Sequence, residues 1–288
     1  MIKKGIIMCG GIGSRLFPLT KSVNKQLLPV YNKPMFFYPL SVLMLGNIRN
    51  IMLVVNVNQK ELFQNILGNA KDLGIKISYK IQKKSKGIAE CFTICKDFIK
   101  NDDIALILGD NFFYGSMLTP LINKSFKTNK GSSIFVYPSK NTSSYGVVET
   151  NSRNEIIKII EKPINTNSDK VVTGLYLFDK NVVRIASKIK PSTRGELEIT
   201  DVLEKYNQDK KLNMIKLGRG SVWLDVGSFE DLFEASSFIQ NIEKRQNYNI
   251  ACLEEISFKK GWINKKNILN RIKFYGNSEY SKYLKSFL

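Results

Sequence analysis

The segment Gly5-Ile6-Ile7-Met8-Cys9-Gly10-Gly11-Ile12-Gly13-Ser14-Arg15-Leu16 decides the fold of this 288-residue chain. It opens as a short apolar run of the kind that makes a buried strand. The glycines that follow let the backbone turn tightly and turn their N–H groups toward an anion. Working outward, apolar runs at 51–55, 75–81, 104–108 and 133–137 alternate with helix-period segments at 39–45, 61–67, 88–99 and 118–126. Such strand–helix repetition predicts a sheet covered by helices on both faces. The pattern changes near residue 145. Runs at 145–149 and 156–161, split by Asn151-Ser152-Arg153-Asn154, read as a hairpin, and 173–178 as one more strand. The expected fold is therefore a Rossmann-like three-layer αβα sandwich whose central sheet is mixed and mostly parallel.

After Trp223-Leu224-Asp225-Val226-Gly227-Ser228 the chain turns helical, with Ser228 as a cap and Glu230 and Asp231 in the first turn. No repeat, low-complexity segment or linker interrupts it. One domain over 1–288 is expected, an α/β catalytic core at 1–228 with a helical C-terminal extension at 229–288. Residues 259–288 carry eight Lys/Arg and a single acid, Glu279, which reads as a solvated helical face.

Composition narrows the chemistry. Lys and Arg number 44 against 25 Asp and Glu, a net charge of +19, and histidine is absent. No Ser-His-Asp or Cys-His site and no imidazole-held zinc can exist, so any acid or base is a carboxylate, Lys, Tyr or Cys. A divalent metal would be a hard one held by oxygens. Cys9, Cys91, Cys95 and Cys252 form neither a CxxC pair nor a disulfide framework and read as reduced, buried thiols. No signal-peptide core precedes the first strand, and no apolar stretch approaches the roughly 18 residues of a membrane span. A cytoplasmic protein is expected. Of the 44 cations 36 are Lys and 8 are Arg, and the excess reads as lysine on solvated faces. A nucleic-acid surface would need aromatic–basic interleaving, a C₂H₂ pattern or a helix-turn-helix, and none is present.

Two familiar phosphate loops do not match. Walker A ends in Gly-Lys-Ser/Thr, where this chain has Gly13-Ser14-Arg15. A dinucleotide fingerprint begun at Gly11 meets Leu16 at its third glycine and lacks the acid about 20 residues on, which disfavours a NAD-dependent dehydrogenase. The first acid of the chain is Glu61; residues 1–60 hold eight cations. Arg15 and Lys25 flank the glycines, and together they suit a triphosphate.

The segment 10–20, continued by Lys25-Gln26-Leu27-Leu28-Pro29-Val30-Tyr31-Asn32-Lys33-Pro34-Met35, resembles the signature of the bacterial sugar-phosphate nucleotidylyltransferases. Within them the chain is most similar to the glucose-1-phosphate thymidylyltransferase group. Leu108-Gly109-Asp110-Asn111, Glu161-Lys162-Pro163, Arg194-Gly195-Glu196-Leu197-Glu198 and Trp223-Leu224-Asp225 carry the likeness through nearly the whole length. The resemblance implies attack by the phosphate of glucose 1-phosphate on the α-phosphorus of dTTP, giving dTDP-glucose and pyrophosphate, the first step toward dTDP-rhamnose and related deoxysugars. A uridylyltransferase using UTP is the alternative on the same scaffold.

By position alone an Asp that follows a strand, as Asp110 and Asp225 do, reads more often as a helix cap. The resemblance makes both of them Mg²⁺ ligands and groups them with Arg15 and Lys25 as catalytic. It assigns the nucleotide to Gly10, Gly11, Gly13, Ser14, Arg15, Lys25, Gln82, Gly87 and Asp110. It assigns the sugar phosphate to Gly146, Glu161, Lys162, Val172, Tyr176 and Arg194. It also implies a homotetramer that binds neither nucleic acid nor membrane. The chain departs from the family at Cys9, where Ala is common, and through the base-contacting stretch Gln82-Lys83-Lys84-Ser85-Lys86-Gly87-Ile88-Ala89-Glu90, where Gln is common at the last position. Thr119 and Lys259 stand where a second, regulatory nucleotide-sugar site commonly has His and Arg, so weakened feedback is expected.

Overall fold

A computed structural model describes residues 1–288. The opening run forms β1 (Lys4–Cys9), and after the glycine turn come β2 (Pro29–Val30), β3 (Lys33–Pro34) and α1 (Phe37–Leu45). Then follow β4 (Asn50–Asn56), α2 (Lys60–Leu67), β5 (Lys76–Gln82), α3 (Glu90–Ile94), α4 (Lys96–Ile99) and β6 (Ile104–Leu108). The middle third is β7 (Asn111–Tyr114), α5 (Leu118–Thr128), β8 (Ser132–Pro138), β9 (Gly146–Thr150), β10 (Ile156–Glu161) and β11 (Lys170–Phe178). The last is α6 (Val182–Ala186), α7 (Ile199–Gln208), β12 (Leu212–Lys216), β13 (Val222–Asp225), α8 (Phe229–Gln246), α9 (Leu253–Lys259), α10 (Lys265–Tyr275) and α11 (Glu279–Lys285).

Nine strands make the main sheet in the order β10-β9-β11-β6-β1-β4-β5, with β8 and β12 attached beyond β11. β1 pairs in parallel with both β4 and β6, β4 with β5, and β12 with β8. Only β10 and β11 run against the rest. The sheet is thus mixed and mostly parallel, and β9–β10 is the expected hairpin. Neighbouring residues of β1 enter different cores: Ile7 packs with Leu53 and Ile107 on one face, Ile6 with Val54 and Leu106 on the other. Burial on both faces is why these strands are unbroken apolar runs.

The stretch 88–99 is two short helices meeting at Cys95 rather than one. All four cysteines are free and buried. Two small two-stranded sheets, β2–β3 and β7–β13, lie outside the main one. A third core, with Leu16, Tyr38 and Phe112, packs them against Ala235 and Ile239 of α8. Ser228 opens α8 as expected: its Oγ accepts from Asp231 N at 3.1 Å, while Asp231 Oδ2 accepts from Ser228 N at 2.8 Å.

The basic tail forms α10 and α11, but its reading as a solvated face fails at Arg271, which is 1% exposed. Its Nε donates to Glu254 Oε1 at 2.8 Å and its Nη1 to Leu67 O at 2.6 Å. Net charge hides such a position, because a buried ion pair adds nothing to the excess. No helix is long and apolar enough to cross a membrane.

Candidate active site

β1 delivers the chain to Gly10 at the carboxyl end of the sheet. Gly11 (φ 105°) and Gly13 (φ 64°) adopt left-handed conformations that glycine takes without strain. Asn56, ending β4, brackets the turn: its Nδ2 donates to Gly11 O at 2.8 Å and its Oδ1 accepts from Gly11 N at 3.3 Å. Thr20 Oγ1 donates to Gly13 O at 2.7 Å. A short 3₁₀ turn, Ser14–Leu16, then buries Leu16 and leaves Arg15 free to reach the site. Gly10, Gly11, Gly13, Ser14, Arg15 and Lys25 all line one cavity of about 210 Å³.

Asp110 lies two residues beyond β6, and Asp225 is the last residue of β13. Antiparallel pairing of β13 with β7 sets Asp225 opposite Asn111. Asn111 Nδ2 donates to Asp110 Oδ1 at 3.1 Å and to Asp225 Oδ1 at 3.2 Å. Its Oδ1 accepts from Trp223 Nε1 at 2.7 Å and from Gly174 N at 2.9 Å. This amide is held from both ends and holds both carboxylates. Gly174 is glycine for space: a Cβ there would stand 2.5 Å from Asn111 Cγ.

Lys25 Nζ donates to Asp110 Oδ2 at 2.6 Å. Burial resists ionisation of Asp110, but the Lys25 ammonium and the Asn111 amide outweigh it and hold the carboxyl below its usual range. Asp225 shares the Asn111 amide but has no cation paired with it. Burial first, then the Asp110 charge, push its carboxyl up to about 7, and Lys25 and Arg15 offset this only in part. Two half-buried carboxylates thus share too little positive charge.

A second cavity of about 210 Å³ adjoins the first. Gly146 begins β9 and Glu161 ends β10, paired across the open end of the hairpin. Both line this cavity with Lys162, Val172, Tyr176, Arg15, Asp110 and Asp225. Lys162 takes φ +45°, a strained conformation for a residue with a side chain, and its N–H donates to Tyr145 O at 2.9 Å. Burial, then the nearby Glu198 charge, raise the Glu161 carboxyl. Arg194 does not line the cavity. Its Nη2 donates to both Glu198 oxygens at 2.9 Å and reaches Glu161 at 3.4 Å, so it stands behind Glu161.

Gln82, Gly87, Gly10 and Asp110 line a third cavity of about 200 Å³. Gln82 is buried and its Nε2 donates to Glu90 Oε2 at 2.8 Å. Across this cavity, Leu197 N donates to Lys86 O at 2.7 Å and Leu197 O accepts from Ala89 N at 3.2 Å, which ties the 86–89 turn to the 192–198 segment. The three cavities share one wall residue, Asp110.

The structure gathers the residues named from the sequence for catalysis, nucleotide and sugar phosphate around this point, with Arg194 at one remove, while Thr119 and Lys259 line none of the three cavities. Sequence reasoning gave no role to Asn111, Gln26 or Trp223. Gln26 lines two of the cavities and its buried Oε1 has no hydrogen-bond partner in the chain. Adjacency to Asp110 and Lys25 was a signal for the first two; Trp223 carried none.

A family model described as nucleotidyl transferase matches residues 4–242. A glucose-1-phosphate thymidylyltransferase of Neisseria meningitidis is 45% identical over 281 residues, covering 98% of each chain. One from Mycobacterium tuberculosis is 41% identical, covering 98% of this chain and 97% of its own. Among solved structures, a Bacillus anthracis chain assigned as a glucose-1-phosphate thymidylyltransferase superposes with a TM-score of 0.75 at 35% identity, covering 82% of this chain and 94% of that one. A UDP-glucose pyrophosphorylase complexed with UDP-glucose gives 0.74 at 26%, covering 84% and 99%. A likeness that spans almost the full length of both chains, on a fold that brings a glycine turn to a pair of carboxylates, makes this chain an enzyme of the nucleotidyl transferase family.

Proposed function

We propose that the enzyme transfers a thymidylyl group from dTTP to glucose 1-phosphate, releasing pyrophosphate and dTDP-glucose. The observation that carries this reading is the meeting of three cavities at Asp110: one walled by glycine turn and cations, one by a buried amide, one by a hairpin's open end. They suit a triphosphate, a base and a sugar phosphate that must join at one phosphorus. The relatives' names supply thymidylyl and glucose 1-phosphate.

The chemistry asks for alignment and charge neutralisation. A phosphate oxygen is already anionic, so its attack on the α-phosphorus needs no strong base, and a chain without histidine can perform it. Arg15 lines both the triphosphate and sugar cavities and can neutralise charge on the nucleotide phosphates while the P–O bond to pyrophosphate breaks. Lys25 adds a second cation. Lys162 would hold the incoming phosphate, Glu161 would accept from sugar hydroxyls, and Val172 and Tyr176 shape the wall.

Asp110 and Asp225 fit Mg²⁺. They offer only oxygens, sit side by side through Asn111, and carry an excess of negative charge. Two carboxylates with no third His, Cys, Asp or Glu beside them match an ion that keeps water and phosphate oxygens as its other ligands. When bound, the ion supplies Lewis-acid neutralisation of phosphate charge. A homotetramer working in the cytoplasm on the dTDP-rhamnose route belongs to the same reading.

The UDP-glucose pyrophosphorylase likeness favours UTP as a second reading. A pyrophosphate-release assay with the common nucleoside triphosphates and several sugar 1-phosphates separates the two. The highest kcat/KM is expected with dTTP and glucose 1-phosphate; a higher value with UTP would replace thymidylyl by uridylyl transfer. In the same assay Arg15→Ala is expected to lower kcat about 10²–10³-fold, with the glucose 1-phosphate KM changed only a few-fold. An intact kcat would remove Arg15 from its role.

A further inference from the structure

Gln82 closes the inner wall of the base cavity, and an amide can present either its oxygen or its nitrogen there. Its neighbour decides which. Nε2 donates to Glu90 Oε2 at 2.8 Å. An ionised carboxylate only accepts hydrogen bonds, so the NH₂ end of Gln82 must face Glu90. Turned over, the amide would set a carbonyl oxygen against a carboxylate. The Oε1 end accepts nothing from the chain and lies against Gly10, where a Cβ would strike it. Glu90 itself is the first residue of α3 and does not line the cavity.

We propose that Glu90 is a positioning residue for nucleotide selection. By fixing Gln82 it makes the cavity present a carbonyl acceptor. A base whose ring nitrogen carries a hydrogen, the imide N3–H of thymine or uracil, meets it as a donor. Cytosine brings a lone pair at N3 and is rejected. A neutral amide at this position would both donate and accept, and so would leave Gln82 free to turn over. The carboxylate of this chain removes that freedom. The proposal rests on the thymidylyl reading and adds the means by which the pyrimidine is chosen.

The test is kcat/KM for dTTP, UTP and dCTP, each with glucose 1-phosphate, in the wild-type enzyme and in Glu90→Gln. The wild-type enzyme is expected to favour dTTP over dCTP by about 10³-fold or more, since a site built around a hydrogen bond rejects a partner that cannot make it. In Glu90→Gln that ratio is expected to fall at least tenfold, chiefly through the dCTP KM, as Gln82 turns its NH₂ inward. The dTTP:UTP ratio should stay, because it depends on the C5 methyl. A merely structural loss would lower all three nucleotides together. An unchanged dTTP:dCTP ratio in Glu90→Gln overturns the proposal.

A second measurement needs no variant. dTTP methylated at N3 should bind wild-type protein at least about 100-fold more weakly than dTTP, and equal binding overturns the proposal. Failure of the underlying reading looks different. A wild-type preference for UTP overturns thymidylyl transfer and leaves Glu90 to be judged by the UTP:dCTP ratio; a preference for dCTP overturns both.

Discussion

Asp110→Asn and Asp225→Asn are each expected to lower kcat by about 10³-fold or more, because in the proposed reaction each carboxylate would supply a charged oxygen worth several kcal/mol to the phosphate chemistry. Their effects on stability should be opposite. Asp110→Asn leaves the Lys25 ammonium, 8% exposed, without its counter-charge and should destabilise the chain. Asp225→Asn removes a half-buried carboxylate that desolvation and Asp110 penalise, and should stabilise it.

The sign of the pH dependence follows. The Asp225 carboxyl rises to about 7 in the folded chain, above its unfolded value, so the folded state binds the extra proton between those two values. Stability then falls as pH rises through that window and stays low above it. The full penalty is ~4 kcal/mol at most. Denaturant unfolding in chelator should therefore show a larger gain for Asp225→Asn at pH 8 than at pH 5.5. Equal gains at both pH values would refute the assignment. A substitution that raises stability while abolishing turnover marks a position kept for chemistry.

The second large effect lies outside the site. Glu254→Ala is expected to destabilise the chain by about 3–5 kcal/mol, the usual cost of stranding one member of a buried ion pair. Glu254 is fully buried, and Arg271 donates to it at 2.8 Å. Tyr275 Oη donates to Glu254 Oε1 at 3.1 Å and Tyr280 Oη to Oε2 at 2.7 Å. Arg271 also lies over the Phe274 and Tyr275 rings, at 4.9 and 4.8 Å. Two helices, α10 and α11, thus converge on one carboxylate of α9, and Arg271 ties the end of α2 to it through Leu67 O. Arg271→Met should cost a similar amount, and the double variant less than the two together, because the second substitution removes the charge that the first one strands. Full additivity in denaturant unfolding would show that the pair does not act as a unit.

Much of this was legible in the chain because local physics carried it. Gly11 and Gly13 are glycines whose backbone needs positive φ, and β1, β4 and β6 are apolar without a break because both faces are covered. Ser228 as a cap, with Glu230 and Asp231 in the first turn, announced α8 within four residues. What stayed hidden depends on distant pairing. Asn111 matters only because β13 returns beside β7, and no spacing in the sequence states that register. Arg271 looked like one more cation in a basic tail until Glu254 was found beneath it. Arg194 was expected to assist the sugar phosphate, but Glu198 lies four residues on and takes its fork. The likeness to known families pointed to the residues; packing decided how directly each one reaches the centre.

The β7–β13 ribbon sets an order of events during synthesis. It joins positions 114 residues apart, Asn111 and Asp225. At common elongation rates those positions leave the ribosome roughly 6 to 23 seconds apart. In that interval the glycine turn, Lys25 and Asp110 have all been made, yet the carboxylate pair has only one member. A nascent chain therefore cannot assemble the complete carboxylate pair before its last quarter emerges.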